Sequence, residues 1–270
     1  MCIRDSDGPA VPYGIKDLAD ELDQARQETG EQKEELFDPT MVSEALWVQW
    51  CETARRFHLG NEKLGRLAPS LQSLPTVIWD TPLEAYMNRS LTDIRQLRTH
   101  GEKRVRVVLE VFHAVHELLA NASPRTHLSL RLVAGFVPTV ESWLQSLVNR
   151  IDLPSRDEVA RELAVPLLNQ IRTDSGETVF GLAKDRLGIG VPAKTVREQA
   201  AEMDVTRARV YQLLEDCGKV MEVRWPTGRG YLLQVVGRIE SNARSNEGAQ
   251  LFRAIRQLFF PDRNDKSRID

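Results

Sequence analysis

The sequence predicts a mainly α, multi-helical protein that ends in a winged helix-turn-helix with one small β-hairpin. Three observations carry this expectation. Apolar residues recur at three- and four-residue spacing through most of the chain, the period of a helix with one buried face. Residues 195–215 hold the small, apolar and capping residues that two short helices crossing steeply require. One stretch, 221–236, reads as two apolar strands around a glycine-rich turn.

Composition bounds the function. Apolar residues make up 41% of 270, which excludes collagen-like, mucin-like and wholly disordered chains. No apolar run approaches the ~20 residues of a membrane helix, and no N-terminal stretch has the apolar core of a signal peptide. Cys2, Cys51 and Cys217 are odd in number, far apart and without a Cys-x-x-Cys. That points to a reducing, cytoplasmic compartment and away from a disulfide scaffold or zinc framework. Net charge is −3, but residues 1–40 hold 4 Lys/Arg against 11 Asp/Glu, which leaves about +4 on the rest. An acidic tail masks a mildly basic body.

The elements follow in order. Residues 1–6 (MCIRDS) read as translated sequencing adapter, outside the natural chain. Residues 7–40 form the acidic tail and are expected to be disordered. Over 41–59, Ser43 caps a helix with Leu46, Trp47, Trp50, Ala54 and Phe57 as its stripe, stopped by Gly60. The two tryptophans mark core, with an aromatic binding platform as the alternative. Residues 67–82 are a connector broken by Pro69, Pro75 and Pro82. Helix, turn and helix fill 83–120. A helical stretch over 125–150 carries Val133, Phe136, Val140, Trp143, Leu144 and Leu147, with Pro138 in a first turn. Residues 151–155 are a linker. Helices over 157–172, capped by Asp157, and 176–188 lead to the helix-turn-helix, and a last helix covers 246–259. The domains expected are a helical unit at 41–120, a connector at 121–153 and the winged unit at 154–260.

In the helix-turn-helix, Ala200 supplies the small crossing residue, Met203 closes the first helix, and Asp204 stands at the left-handed turn position. Val205 plugs the core and Thr206 caps the second helix. Val210, Leu213, Leu214, Cys217 and Met221 form one buried stripe. Thr206, Arg207, Ala208, Arg209, Tyr211, Gln212, Glu215 and Lys219 remain outside. Arginine pairs with guanine edges and glutamine with adenine edges in the major groove. In the hairpin expected over 221–236, Arg229 sits at the tip, placed for phosphate or minor groove.

The run VTRARVYQLLE, residues 205–215, resembles the recognition helix of the fourth conserved region of bacterial sigma factors. The resemblance implies binding to an upstream promoter element, with Arg207 and Gln212 matching base readers and Arg209 the family's arginine. Ala208 and Tyr211 stand where the family has an acidic residue and an arginine. The wing itself departs from the all-helical sigma domain. No aromatic-rich melting helix follows the sigma pattern, so the resemblance is to part of such a factor.

Residues 91–109, LTDIRQLRTHGEKRVRVVL, look like a helix-hairpin-helix turn, with Leu97, Gly101, Lys103 and Val105 in its slots and Thr99 in place of its earlier glycine. The same run resembles the C-terminal domain of the RNA polymerase alpha subunit, on Arg98, Gly101 and Lys103. Arg104 adds to a local excess of 6 basic over 2 acidic residues across 89–106. His113 and His116 share a helix face but lack a third ligand at motif spacing, so no metal is expected. No catalytic residue, phosphate-binding loop or cofactor motif is found, so the chain is not expected to be an enzyme.

The expected function is that of a DNA-binding transcription regulator or partial sigma-like factor. The alternative is a non-catalytic protein-interaction module of a transcription complex. The expected partners are double-stranded DNA, RNA polymerase and a second copy of the chain. Leu251, Phe252, Ile255, Leu258 and Phe259 offer either a dimer face or a face packed on their own domain.

Overall fold

A computed structural model describes residues 37–261 apart from 73, 99, 123–131 and 241–245. The acidic tail over 1–36 and Thr99 therefore lie outside the described residues. The fold is mainly α, and no β-strand occurs among the described residues.

Helix α1 (Glu44–Arg56) is capped by Ser43, which accepts from the Leu46 amide at 3.3 Å. It packs on α6 (Glu102–Leu119), with Trp47 4.6 Å from Phe112. Trp47, Trp50 and Ala54 are buried, whereas Leu46 is 40% exposed and lies off the stripe. The tryptophans are thus core, and Trp47 Nε1 donates to the Arg89 carbonyl at 2.9 Å. The helix ends at Arg56 rather than at Gly60, because His58 takes the left-handed conformation, φ 57°. Four short helices follow: α2 (Leu64–Leu67), α3 (Thr76–Trp79), α4 (Glu84–Met87) and α5 (Leu91–Arg95). The segment expected to be a connector thus contains α3, whose cap is Pro75.

Helix α7 (Val137–Asn149) carries Pro138 in its first turn and buries Val140, Leu144 and Leu147. Next comes α8 (Arg156–Val159), capped by Ser155 rather than Asp157: the Ser155 hydroxyl accepts from the Glu158 amide at 3.1 Å. A π segment (Ala160–Ala164) joins α8 to α9 (Val165–Ser175). Pro166 follows it; a proline ring cannot accept the ordinary coil against the carbonyl four residues back, and the wider turn accommodates it. Helices α10 (Glu177–Leu187), α11 (Val196–Glu202), α12 (Arg207–Arg224), α13 (Gly228–Glu240) and α14 (Glu247–Phe259) complete the chain.

The expected wing is absent. Residues 221–224 continue α12, and 228–240 form α13, which packs on α7 and α14. Leu232, Val235 and Ile239 are buried, while Leu233 is 53% exposed. That is a spacing of three and four, a helix face; in a strand, burial would alternate. The glycines mislead for the same reason. A Cβ at Gly228 would lie 2.6 Å from Trp225 Cδ2 and 2.7 Å from Phe260 Cε1, so glycine there admits close packing on Trp225 rather than a hairpin turn.

The last helix buries Leu251, Phe252, Ile255, Leu258 and Phe259 within the chain. Its start closes on α8: a Cβ on Gly248 would stand 2.2 Å from the Pro154 carbonyl oxygen.

Candidate nucleic-acid interface

Helices α11 and α12 form the helix-turn-helix. Thr195 and Glu198 make a capping box: Glu198 N donates to Thr195 Oγ1 at 3.3 Å, and Thr195 N to Glu198 Oε2 at 2.7 Å. The Thr195 backbone and hydroxyl bonds hold the Glu198 carboxyl below its ordinary range. Gln199, buried, donates to the Leu182 carbonyl at 2.8 Å and ties α11 to α10. Ala200 is buried at the crossing, and the Val205 amide donates to its carbonyl at 3.0 Å. Asp204 takes φ 51°, the left-handed turn that its position demands. Met203 does not close the helix into the core; it caps α11 and is 36% exposed, because the turn passes the core contact to Val205.

Thr206 caps α12, accepting from the Arg209 amide at 3.2 Å. Below it, Val210, Leu214, Cys217 and Met221 are buried, and Leu213 is half-buried. Burial pushes the Cys217 thiol up to about 12, so it stays neutral and packs as a small apolar group. On the opposite side Thr206, Arg207, Ala208, Arg209 and Gln212 are all exposed, and Tyr211 is half-buried. Arg209 Nη1 lies 3.5 Å from Gln212 Oε1, so the two heads share one patch.

The other expected contacts fall elsewhere. Lys219 is thirteen residues beyond Thr206, about 20 Å along the helix, and pairs with Asp216 at 2.8 Å. It lines a groove of ≈ 1060 Å³ together with Arg229, Trp79 and Phe260. Arg229 is not a hairpin tip: it stands in the first turn of α13 and donates to the Pro261 carbonyl. Its wing role falls with the hairpin.

Gly101, Lys103 and Arg104 stand at the start of α6, and Arg98 lies in the turn before it. Arg98, Gly101 and Lys103 are exposed and Arg104 is half-buried. Gly101 is the N-cap with φ −72°, and a Cβ there would meet nothing within 4 Å. The hairpin turn therefore does not require glycine at this position. His100 is held below its ordinary range by burial and by Arg104 and Arg89, and its Nε2 lies 3.0 Å from Tyr86 Oη.

The two histidines of α6 serve packing. His116 Nδ1 lies 2.8 Å from Thr53 Oγ1, and His113 stacks 5.2 Å from both Phe37 and Trp50. No cluster of three metal-ligating side chains occurs among the described residues, and no described helix is long and apolar enough to cross a membrane.

Two features escape sequence reasoning. Arg197 is exposed on the first turn of α11 and adds a cation beside the motif. Lys194 is gripped by Asp185 at 2.9 Å and Glu202 at 2.8 Å, which raises its ammonium to about 12. Nothing in the sequence separates either from an ordinary solvated cation.

No protein-family profile, curated protein or solved structure matches the chain.

Proposed function

We propose that the chain is a DNA-binding transcription regulator, or part of a sigma-like factor, that reads duplex DNA with the first two turns of α12. One observation carries the reading: Thr206, Arg207, Ala208, Arg209 and Gln212 are exposed together on the helix whose other face is sealed in the core. A rigid helix presenting Arg and Gln from its N-terminal turns meets the geometric demand of major-groove readout. Arg207 and Gln212 are assigned to base edges, with Tyr211 and Ala208 flanking them. Arg209, the cations at the start of α6, Lys103 and Arg104, and Arg98 in the turn before it are assigned to phosphates. RNA polymerase as partner and the cytoplasm as location go with this proposal.

The test is a titration of labelled duplex DNA against the full chain at two salt concentrations. Four phosphate contacts predict roughly a hundredfold loss of affinity between 50 and 200 mM salt. No salt-dependent binding at micromolar protein overturns the reading.

A second reading, a docking module within a transcription complex, has its own support. Residues 194–219 carry five Lys/Arg and five Asp/Glu, a neutral surround that weakens attraction to a polyanion. Under that reading, recovery of polymerase subunits by the chain survives nuclease treatment and the Arg207→Ala/Gln212→Ala change.

A further inference from the structure

The described chain begins against one particular stripe of α6. Phe37 stacks 5.2 Å from His113, and the turn at Pro39–Met41 packs on α6. Arg95 Nη2 holds this entry by donating to the Pro39 carbonyl at 3.1 Å and the Val42 carbonyl at 3.2 Å. Lys103, Arg106, Glu110 and His113 recur at three- and four-residue spacing and so share that stripe. Arg98 lies in the turn that precedes the helix. Arg98 and Lys103 are exposed, and Arg106 pairs with Glu110 at 2.7 Å. With Glu110 counted, Arg98, Lys103 and Arg106 leave this face at +2.

Residues 17–36, just upstream of Phe37, hold eight Asp/Glu against two Lys/Arg, a net −6. Lys103 lies ten residues up the helix from His113, about 15 Å. An extended chain covers about 3.3 Å per residue. Glu28 and Glu31, nine and six residues upstream of Phe37, therefore have enough chain to reach Lys103. The patch around α12 offers no comparable attraction, its charges being balanced.

We propose that the acidic segment 17–36 seats on the basic face formed by Arg98, Lys103 and Arg106, and shields that face from other polyanions. The contact goes beyond the DNA-binding reading and does not depend on it. It assigns a second, intramolecular occupant to a face that would otherwise hold phosphate.

The chain has eight lysines, so a zero-length carbodiimide cross-link locates the contact. The reagent activates a carboxylate, and a neighbouring lysine amine displaces the resulting urea to form an amide. The full chain is treated at about 20 mM and about 500 mM salt, and peptides from the monomer band are mapped by mass spectrometry. The expected result is links from residues 17–36 to Lys103, lost at the higher salt. Absence of a Lys103 link, or links confined to Lys184, Lys194 or Lys219, overturns the proposal. A second measurement reads the shielding: a full chain carrying Glu28→Gln, Glu31→Gln, Glu34→Gln and Glu35→Gln is expected to elute from heparin at higher salt than the wild type. Unchanged elution overturns the shielding. Neither readout uses duplex DNA, so their failure is distinct from failure of the DNA-binding reading.

Discussion

Arg224 and Asp174 form a bidentate ion pair sealed from solvent, with Arg224 Nε 2.8 Å from Asp174 Oδ2 and Nη2 2.6 Å from Oδ1. Their side chains are 4% and 0% exposed. Arg224 Nη1 also donates to the Ala68 carbonyl at 2.7 Å and the Arg66 carbonyl at 3.0 Å, and the Leu71 amide donates to Asp174 at 3.0 Å. The pair therefore fastens the C-terminal end of α12 to α9, to α2 and to the segment after it. Removing one charge leaves the other buried without its partner. Asp174→Asn is expected to cost about 3–5 kcal/mol of stability in chemical denaturation. A loss under about 1 kcal/mol contradicts the sealed pair.

The turn of the helix-turn-helix holds Asp204 at φ 51°. A non-glycine residue there costs roughly 1 kcal/mol. Asp204→Gly is expected to raise the melting temperature slightly and leave α11 and α12 in place. A lower melting temperature would show that the Asp204 side chain contributes more than its backbone strain removes.

Helical burial over 228–240 has a sharp mutational signature. Leu232 is buried and its neighbour Leu233 is 53% exposed. Leu232→Ala is expected to cost about 2–5 kcal/mol, the range for truncation in a packed core. Leu233→Ala should stay within about 0.5 kcal/mol, as for an ordinary surface site. Equal losses at both positions contradict the helix.

Acid sensitivity is expected from Glu158. Burial pushes its carboxyl up, but hydrogen bonds from Arg150 and Trp143 outweigh that, and the net shift is downward from 4.5. Trp143 Nε1 lies 3.1 Å from Glu158 Oε1. A carboxyl depressed by folding contributes stability that is full above its unfolded value and lost as pH falls through the folded one. The melting temperature of the wild type should therefore fall as pH drops below about 4.5, and Glu158→Gln should flatten that limb. Parallel curves for the two proteins contradict the assignment.

The fold was legible wherever a local signal coincided with a buried face. Ser43, Pro138, Asp204 and Thr206 act locally, through caps and turns, and they announce α1, α7 and the helix-turn-helix directly. The stripe from Val210 to Met221 is legible for the same reason. The hairpin reading failed because Pro226, Gly228 and Gly230 are turn residues by type, yet Gly228 serves packing against Trp225 and Phe260. That demand comes from residues brought together only in the fold. Arg224 was illegible too: its partner lies fifty positions away, and no local rule separates a sealed arginine from a solvated one. In the candidate site, the exposed set on α12 followed from helix periodicity. Arg229 did not, since its place depended on the wing.

The claim that α12 reads DNA is tested most directly by selecting binding sites from a random duplex library with the wild-type full chain and, in parallel, with Arg207→Ala/Gln212→Ala. Each bidentate base contact carries about 1–3 kcal/mol of discrimination. The account predicts a short sequence motif enriched by the wild type and lost or relaxed in the double variant, whose melting temperature is unchanged. A wild type that enriches nothing, or a motif identical in both proteins, contradicts it.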